Sequence, residues 1–449
     1  MSSTLMKLYY NLPHKVQDLL ITCYGVKLHR RRYSSLFFRR LEFLNDSLHW
    51  SASDLEEYQN LRLRKLVEHC YYNVPYYTNL FNKLGAIPSD VKSTKDLKIL
   101  PILTKKQLLQ NPASFLSSSP GSKVVSQSTS GSSGTPLQVF STDIALAYYY
   151  AASWRQRMIA GAELRDPHAT FNGRMVCDPT RPTKRPFRKN WYSNQTLFSL
   201  MHLDKVHRER MAREIINSDY VYLNGYPSTL HFLSLSQSFL LKKPSKLKFI
   251  LTSSETLSKR QRKDIELGFG APVLDYYGNA EMVCSLCQYE DGLYYHDSED
   301  SVVELIENRE GSSNIVCTGL NNYAMPLLRY DIGDRATEHR GPKLYDRLAL
   351  KSIDGRDDDV IITPTGRVIG RLDHIFKGIV NIHRGQLIHS DKHHVKILVE
   401  PLSGFKEKDK EALLRNASER IPECVIDIEL VDEIPLEKNG KLKFVKRIF

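Results

Sequence analysis

Four short stretches of this chain carry side chains suited to handling a phosphorylated nucleotide. The first is Thr129-Ser130-Gly131-Ser132-Ser133-Gly134-Thr135-Pro136, where hydroxyls and small residues let O–H and backbone N–H groups converge on phosphate oxygens. No Gly-Lys-Ser/Thr follows, so it is not a Walker loop, and Ser/Gly-rich segments also serve as plain linkers. The second, Tyr276-Tyr277-Gly278-Asn279-Ala280-Glu281, follows a short strand expected to end near Asp275. Tyr277 offers a face for adenine, Gly278 allows close backbone approach, and Glu281 supplies a hard carboxylate for Mg²⁺. The third is Tyr330-Asp331-Ile332-Gly333-Asp334-Arg335, followed by Gly355-Arg356-Asp357-Asp358-Asp359; Asp334, expected at a strand end, has oxygens enough to accept both hydroxyls of a ribose. The fourth, Leu436-Glu437-Lys438-Asn439-Gly440-Lys441, has an Asn-Gly turn that projects Lys441, whose ammonium can neutralise charge on a transferring phosphate oxygen. Taken singly, the last three also read as a strand end, an acidic turn and a hairpin tip.

The elements that must position these residues follow from hydrophobic spacing. Leu55, Tyr58, Leu61 and Leu66 predict a helix over 54–70 with Ser53 as cap, ended by Val74-Pro75. Ser93 to Asp96 and Thr104 to Gln107 read as capped helix starts. A short strand at Val124-Val125, a strand over 137–140 and a long helix over 142–160 flank the first constellation. Strands over 247–251 and 272–275 bracket a polar helix over 258–267, an α/β order with at least part of a parallel sheet. Beyond the Gly- and acid-rich run at 354–359, strands over 360–363, 394–399 and 425–430 alternate with a helix over 407–420. The expected fold class is therefore α/β, mixed with α+β. A basic helical segment over 1–60 leads into a large domain over 61–354 and a small α+β domain over 355–449.

With 449 residues, 41% apolar and 25% charged, the chain has the composition of a folded globular protein of several domains. No apolar run approaches the roughly 20 residues of a membrane helix, and no secretory signal is evident. Seven scattered cysteines suit a reducing compartment better than a disulfide framework, so the cytoplasm is expected. The net charge of +12 gathers in clusters such as Arg30-Arg31-Arg32 and Lys438 to Arg447, which read singly as solvated faces and together favour an anionic partner. No nucleic-acid motif accompanies them, and no nucleic-acid partner is expected. Residues 1–60, with Tyr9, Tyr10, Phe37, Phe38 and Trp50 among Lys and Arg, either cover the body of the protein or make peripheral membrane contact.

Other signals are weaker. Cys284-Ser285-Leu286-Cys287, with His296 and Cys317, has spacing that could begin a zinc site, but a second pair is lacking and buried thiols are the simpler reading. His202, His207, His383, His389, His393 and His394 read as scattered surface histidines. Tyr148, Tyr149, Tyr150 and Trp154 read as core.

The order and spacing of the four constellations resemble those of the adenylate-forming superfamily. The chain is most similar to its phenylacetate–CoA ligase-like branch, and within it to the CapK-like proteins of capsular polysaccharide synthesis. The resemblance also rests on His69-Cys70-Tyr71-Tyr72-Asn73-Val74-Pro75-Tyr76-Tyr77, Leu100-Pro101-Ile102-Leu103-Thr104-Lys105, Gly225-Tyr226-Pro227-Ser228 and Ala324-Met325-Pro326-Leu327-Leu328-Arg329-Tyr330. It implies an ATP-dependent ligase that forms an acyl-AMP and passes the acyl group to a thiol, amine or hydroxyl, with coenzyme A or a glycan precursor as acceptor. By the same match Thr129, Ser130, Gly131, Ser132, Ser133, Gly134 and Thr135 bind triphosphate, Tyr277 meets adenine within Gly278-Asn279-Ala280, and Glu281 serves Mg²⁺. Asp334 and Arg356 hold ribose, Asp358 is the hinge of a mobile C-terminal domain, and Lys441 is the adenylation lysine. Asn224, Tyr226, Ser254 and Glu255 line the acyl pocket, Ser254 and Glu255 where it meets the nucleotide. Leu137 and Ala280 depart from the superfamily, which commonly has lysine and a hydroxyl residue there.

Overall fold

The structure is a computed structural model that describes residues 3–128, 137–307, 313–354, 361–369, 372–379, 381–435 and 444–448. Helices fill the first 110 residues: α1 (Ser3–Tyr10), α2 (His14–Arg32), α3 (Ser35–Asp46), α4 (Ala52–Asn73), α5 (Pro75–Leu84) and α6 (Lys105–Gln110). Ser51 and Asp54 start α4 with a reciprocal capping box, so Ser51 is the cap and the expected Ser53 lies inside the first turn. Pro75 cannot continue α4 and instead opens α5 at its first position. α4 runs unbroken through residues 60 and 61.

Two antiparallel strands, β1 (Val124–Ser128) and β2 (Gln138–Thr142), flank the Ser/Gly-rich stretch, and Thr142 caps α7 (Asp143–Ile159) by accepting from the Ala145 amide. The central sheet then begins with β3 (His168–Phe171), β4 (Phe187–Asn190), β5 (Gln195–Phe198), β6 (Tyr222–Gly225), β7 (Phe249–Ser253) and β8 (Val273–Gly278). Between them run α8 (Lys205–Ile216), α9 (Pro227–Ser234), α10 (Ser238–Leu241) and α11 (Lys259–Phe269). Its second half is β9 (Ser285–Gln288), β10 (Tyr294–His296), β11 (Ser301–Glu307), β12 (Ser313–Gly319), β13 (Tyr330–Glu338) and β14 (Ala349–Asp354).

The strand order is β11-β12-β13-β14-β10-β9-β8-β7-β6-β3-β5-β4. From β5 through β3, β6 and β7 to β8 neighbours are parallel; from β8 to β11 they are antiparallel. β8 is thus the strand where the sheet changes character. The parallel half is buried on both faces, as crossover helices require. Leu223, Ile250 and Val273 pack with Met211, Leu230 and Ile265 of α8, α9 and α11, while Tyr222, Phe249, Leu251, Leu274 and Tyr276 form the core of the opposite face.

The first helices belong to this body. Phe37, Leu41 and Leu44 of α3 pack on Ala147, Ala151 and Trp154 of α7. Beneath them the buried Arg155 guanidinium pairs with Asp297 and Glu299, Arg347 pairs with Glu299, and Ser47 donates to Glu299. α2 lies along β4, with Arg188 Nε donating to Gln17 and Arg185 pairing with Asp18 at 2.8 Å. Among the described residues no helix is long and apolar enough to cross a membrane.

The C-terminal domain has its own core. A short pair, β15 (Ile361–Ile362) and β16 (Val368–Ile369), precedes β17 (Ile382–His389), β18 (His394–Pro401), α12 (Glu407–Arg420), β19 (Val425–Leu430) and β20 (Val445–Arg447). The sheet order is β19-β18-β17-β20. Leu413, Ala417 and Ile421, one stripe of α12 and its end, pack on Leu387, Val395, Ile397 and Val399. The α/β expectation of a large N-terminal and a smaller C-terminal domain holds.

Candidate active site

β8 extends further than its apolar residues imply. The expected end at Asp275 is overridden by pairing with β9, which carries Tyr276, Tyr277 and Gly278 to Cys287, Leu286 and Ser285. Gly278 passes so close to α7 that a Cβ there would stand 2.5 Å from the Tyr149 hydroxyl. The chain then turns, the Val283 amide donating to the Asn279 side chain at 3.0 Å, and leaves Ala280 exposed and Glu281 half-buried at the sheet's edge. Asp275 itself is buried below, accepting from Thr252 and Tyr294, and burial pushes its carboxyl up.

Asp334 does not end a strand, as expected, but stands inside β13. Val316 pairs with Asp331 and Asn314 with Arg335, so one residue of β12 faces Ile332, Gly333 and Asp334. This bulge, turned by Gly333 at φ +80°, re-aims Asp334 toward β8. The Tyr277 hydroxyl donates to Asp334 Oδ2 at 2.7 Å, and the Tyr330 hydroxyl donates to Glu281 Oε1 at 3.2 Å. Burial, then the neighbouring carboxylate, raises both phenols well above their usual range, so both remain donors. The second and third constellations therefore meet through two phenol–carboxylate pairs.

The motif Ala324 to Tyr330 is held in place from the N-terminal helices. Tyr77 of α5 donates to the Pro326 carbonyl at 3.2 Å and accepts from the Leu328 amide at 2.8 Å. Arg329, at φ +49°, pairs with Glu304 and donates to the Leu100 carbonyl, and Leu103 bonds the backbone on both sides of Tyr330. Tyr77 and Tyr330 were visible only as letters of the motifs; the partners of Tyr77 lie some 250 residues away and that of Tyr330 lies 49 away, and neither leaves a local signal.

The remaining candidates fall along the same edge, beyond the carboxyl ends of the parallel strands, where open α/β sheets bind ligands. Asn224 is the last residue but one of β6, and the Tyr226 hydroxyl accepts from the Gly173 amide at 3.3 Å. Ser254 follows β7 at φ +72°, and Glu255 accepts from the Ser228 amide in the first turn of α9 at 3.0 Å, a favourable place for negative charge. Leu137 is buried in the core. Thr129, Ser130, Gly131, Ser132, Ser133, Gly134, Thr135, Arg356, Asp358 and Lys441 lie outside the described residues.

One lesser expectation holds and one changes. Cys284 and Cys287 are buried thiols, as expected, but in different cores: Cys284 packs beside Cys317, whereas Cys287 packs with Tyr276 and Tyr295. Three residues along a strand put side chains on opposite faces. His296 is bonded instead to Ser298 and Ser301. The histidines are not all on the surface either: His202, His207 and His389 are buried, the first two with rings 5.3 Å apart, because each helps to satisfy or fill an interior. His393 and His394 are exposed, as expected.

A twelve-stranded sheet with this edge, followed by a small α+β domain, is the fold of the adenylate-forming CoA ligases. A crystal structure of 2-hydroxyisobutyryl-CoA ligase in complex with 2-HIB-AMP and CoA in the thioesterification state matches with a TM-score of 0.56 at 17% identity, covering 90% of this chain and 93% of that one. The same ligase in the postadenylation state with 2-HIB-AMP also gives 0.56, at 16% identity over 89% and 91%. By sequence the chain is similar to CapK and to the phenylacetate–coenzyme A ligases. It is 23% identical to Protein CapK of Staphylococcus aureus over 364 residues, 79% of this chain and 78% of that protein. Against phenylacetate-coenzyme A ligase of Escherichia coli (strain K12) the figures are 23% over 334 residues, 70% and 73%. Residues 361–448 match the CapK C-terminal domain model.

Proposed function

We propose that this chain activates a carboxylic acid with Mg·ATP and then transfers the acyl group to an acceptor in the synthesis of a surface polysaccharide. A carboxylate oxygen attacks the α-phosphorus, the bond to the β-phosphate breaks, and pyrophosphate leaves an acyl-AMP; a thiol, amine or hydroxyl then displaces AMP. The observation that supports this reading is the pair of contacts Tyr277–Asp334 and Tyr330–Glu281 at one sheet edge. Asp334 accepts the ribose hydroxyls and Tyr277 flanks the adenine. Glu281 suits Mg²⁺, a hard cation that takes carboxylate oxygen and, when bound, neutralises phosphate charge; Tyr330 holds the Glu281 carboxylate in place. Lys441 and the hydroxyls of Thr129 to Thr135 steady the phosphates, Arg356 joins Asp334 on the ribose, and Asp358 marks the hinge about which the C-terminal domain turns between half-reactions.

Kinship with CapK supports an amide or ester on a glycan or its precursor. The second reading, a CoA thioester, is supported by the fold neighbour that holds both 2-HIB-AMP and CoA. Carboxylate-dependent ATP–pyrophosphate exchange tests the first half-reaction: exchange with one acid, abolished in Glu281→Gln and Lys441→Ala, is expected. ATP binding without exchange from any acid would leave a non-catalytic pathway protein. Exposed Leu5, Leu8, Leu19 and Leu20 beside Lys15 and Lys27 support peripheral membrane contact through residues 1–60. Flotation with anionic liposomes, compared with a charge-reversed α2, checks it; equal flotation removes that contact.

A further inference from the structure

α2 turns Ile21, Tyr24, Gly25, Leu28, His29 and Arg32 inward at helical spacing; Gly25 meets Asn190 of β4 and Ile21 packs on Val176 and Leu197, but the rest of the stripe leaves a space. Between it and the sheet lies a cavity of about 750 Å³, well above the voids of a filled interior. Its far wall is one face of α7, Tyr150, Ser153, Trp154 and Arg157, and its floor is His168, Thr170, Tyr222 and Asn224 of β3 and β6. Leu5 and Leu8 of α1 stand at the rim. Tyr24, although on the inward stripe, stays 56% exposed.

The walls are mainly aliphatic and aromatic, with Ser153, Thr170, Asn190, Gln195 and Asn224 set among them, and among the described residues none is an Asp or Glu. Sugar hydroxyls would therefore find no carboxylate acceptor. The charged groups are arginines. Arg174, just beyond β3, pairs with no carboxylate among the described residues; Arg32, Tyr24, Tyr150 and Tyr226 surround it. Leu20 and Arg32, both on the lining, are twelve residues apart in sequence, about 18 Å along a helix, longer than a single aryl acid needs. Asn224 stands at the inner end, two strands from β8, roughly 10 Å across the sheet.

We propose that this cavity is the acid-binding chamber and that it takes a long amphipathic carboxylic acid, whose apolar body lies under α2 while Arg174 draws its carboxylate to the sheet edge. This rests on the reading of the chain as an acid-activating ligase. Among the four lining arginines, Arg32, Arg157, Arg165 and Arg174, Arg174 is the one just beyond β3 at the sheet edge, and a few placed polar groups in a mainly apolar lining are the pattern that fixes orientation in ligand pockets.

Binding of dodecanoate, dodecanol and phenylacetate to the full chain, followed by Trp154 fluorescence and equilibrium dialysis, tests it beside ATP–pyrophosphate exchange with the two acids. Dodecanoate is expected to bind at least about tenfold more tightly than phenylacetate. Arg174→Gln should weaken dodecanoate by about tenfold or more, the scale of one charged hydrogen bond, and leave dodecanol unchanged, which also shows the chamber intact. Ser153→Phe, which fills the chamber, should abolish both; if it does not fold, the selective effect of Arg174→Gln still decides. Tighter binding of phenylacetate, or no effect of Arg174→Gln on dodecanoate, overturns the proposal. Exchange with phenylacetate but no dodecanoate binding overturns the chamber and leaves adenylation standing. The expected binding pattern without exchange from any acid upholds the chamber and removes adenylation.

Discussion

At Glu281 the Tyr330 phenol reaches across from β13 and fixes the carboxylate, so Tyr330→Phe isolates positioning from metal binding. Hydrogen bonds to charged groups are worth about 1.5–3 kcal/mol, and we expect exchange to fall about tenfold to a hundredfold while the melting curve barely moves. Raised Mg²⁺ should recover part of the loss; full activity in this variant would mean that Tyr330 only fills space. The types Tyr, Asp and Glu were legible in the sequence because their chemistry is intrinsic to them. Their pairing was not, since Tyr277 and Asp334 are brought together by a bulge that no residue type announces.

Elements set those positions. Gly278→Ala would place a methyl within 2.5 Å of the Tyr149 hydroxyl, and because that ring is seated against Tyr276 the strand end must shift; overpacking of this kind costs about 1–3 kcal/mol. Reduced ATP affinity together with a lowered denaturation midpoint is the expected outcome, and Tyr149→Phe in the same chain should restore part of both. α12 was legible over 407–420 as a polar helix between two apolar strands; its packed face was less so, because Asp409 and Arg420 share it with Leu413 and Ala417. The end of β8 was misread because its last three residues are held by β9, not by their own hydrophobicity. Asp334 was misread because a bulge breaks strand alternation from the partner's side.

Across the whole molecule, buried charge and buried neutral imidazole govern stability. Removing the guanidinium strands Asp297 without a cation and leaves Glu299 to Arg347 alone, so Arg155→Ala should lower unfolding free energy in urea by about 3–5 kcal/mol; a change below about 1 kcal/mol would show that the network relaxes. His168, stacked on Tyr222 at 4.8 Å, is pushed down to about 4 by burial, and His296 to about 3 by burial and then Arg347. The unfolded chain takes protons that these folded imidazoles refuse, so their contribution is complete above the ordinary histidine value and is lost as pH falls below it. Each adds a slope of up to about 1.4 kcal/mol per pH unit between roughly pH 6.5 and its folded value. Urea midpoints measured from pH 7.5 to 5 should fall, and His168→Gln should flatten the fall.

The wiring of α2 also has a consequence during synthesis. Its partners Arg185 and Arg188 lie 167 and 171 residues further on. At about 5–20 residues per second a ribosome needs roughly 10–30 s to deliver them. Through that interval the Gln17 and Asp18 side chains, buried in the fold, have no arginine to meet, so α2 takes its final place only after β4 has been made.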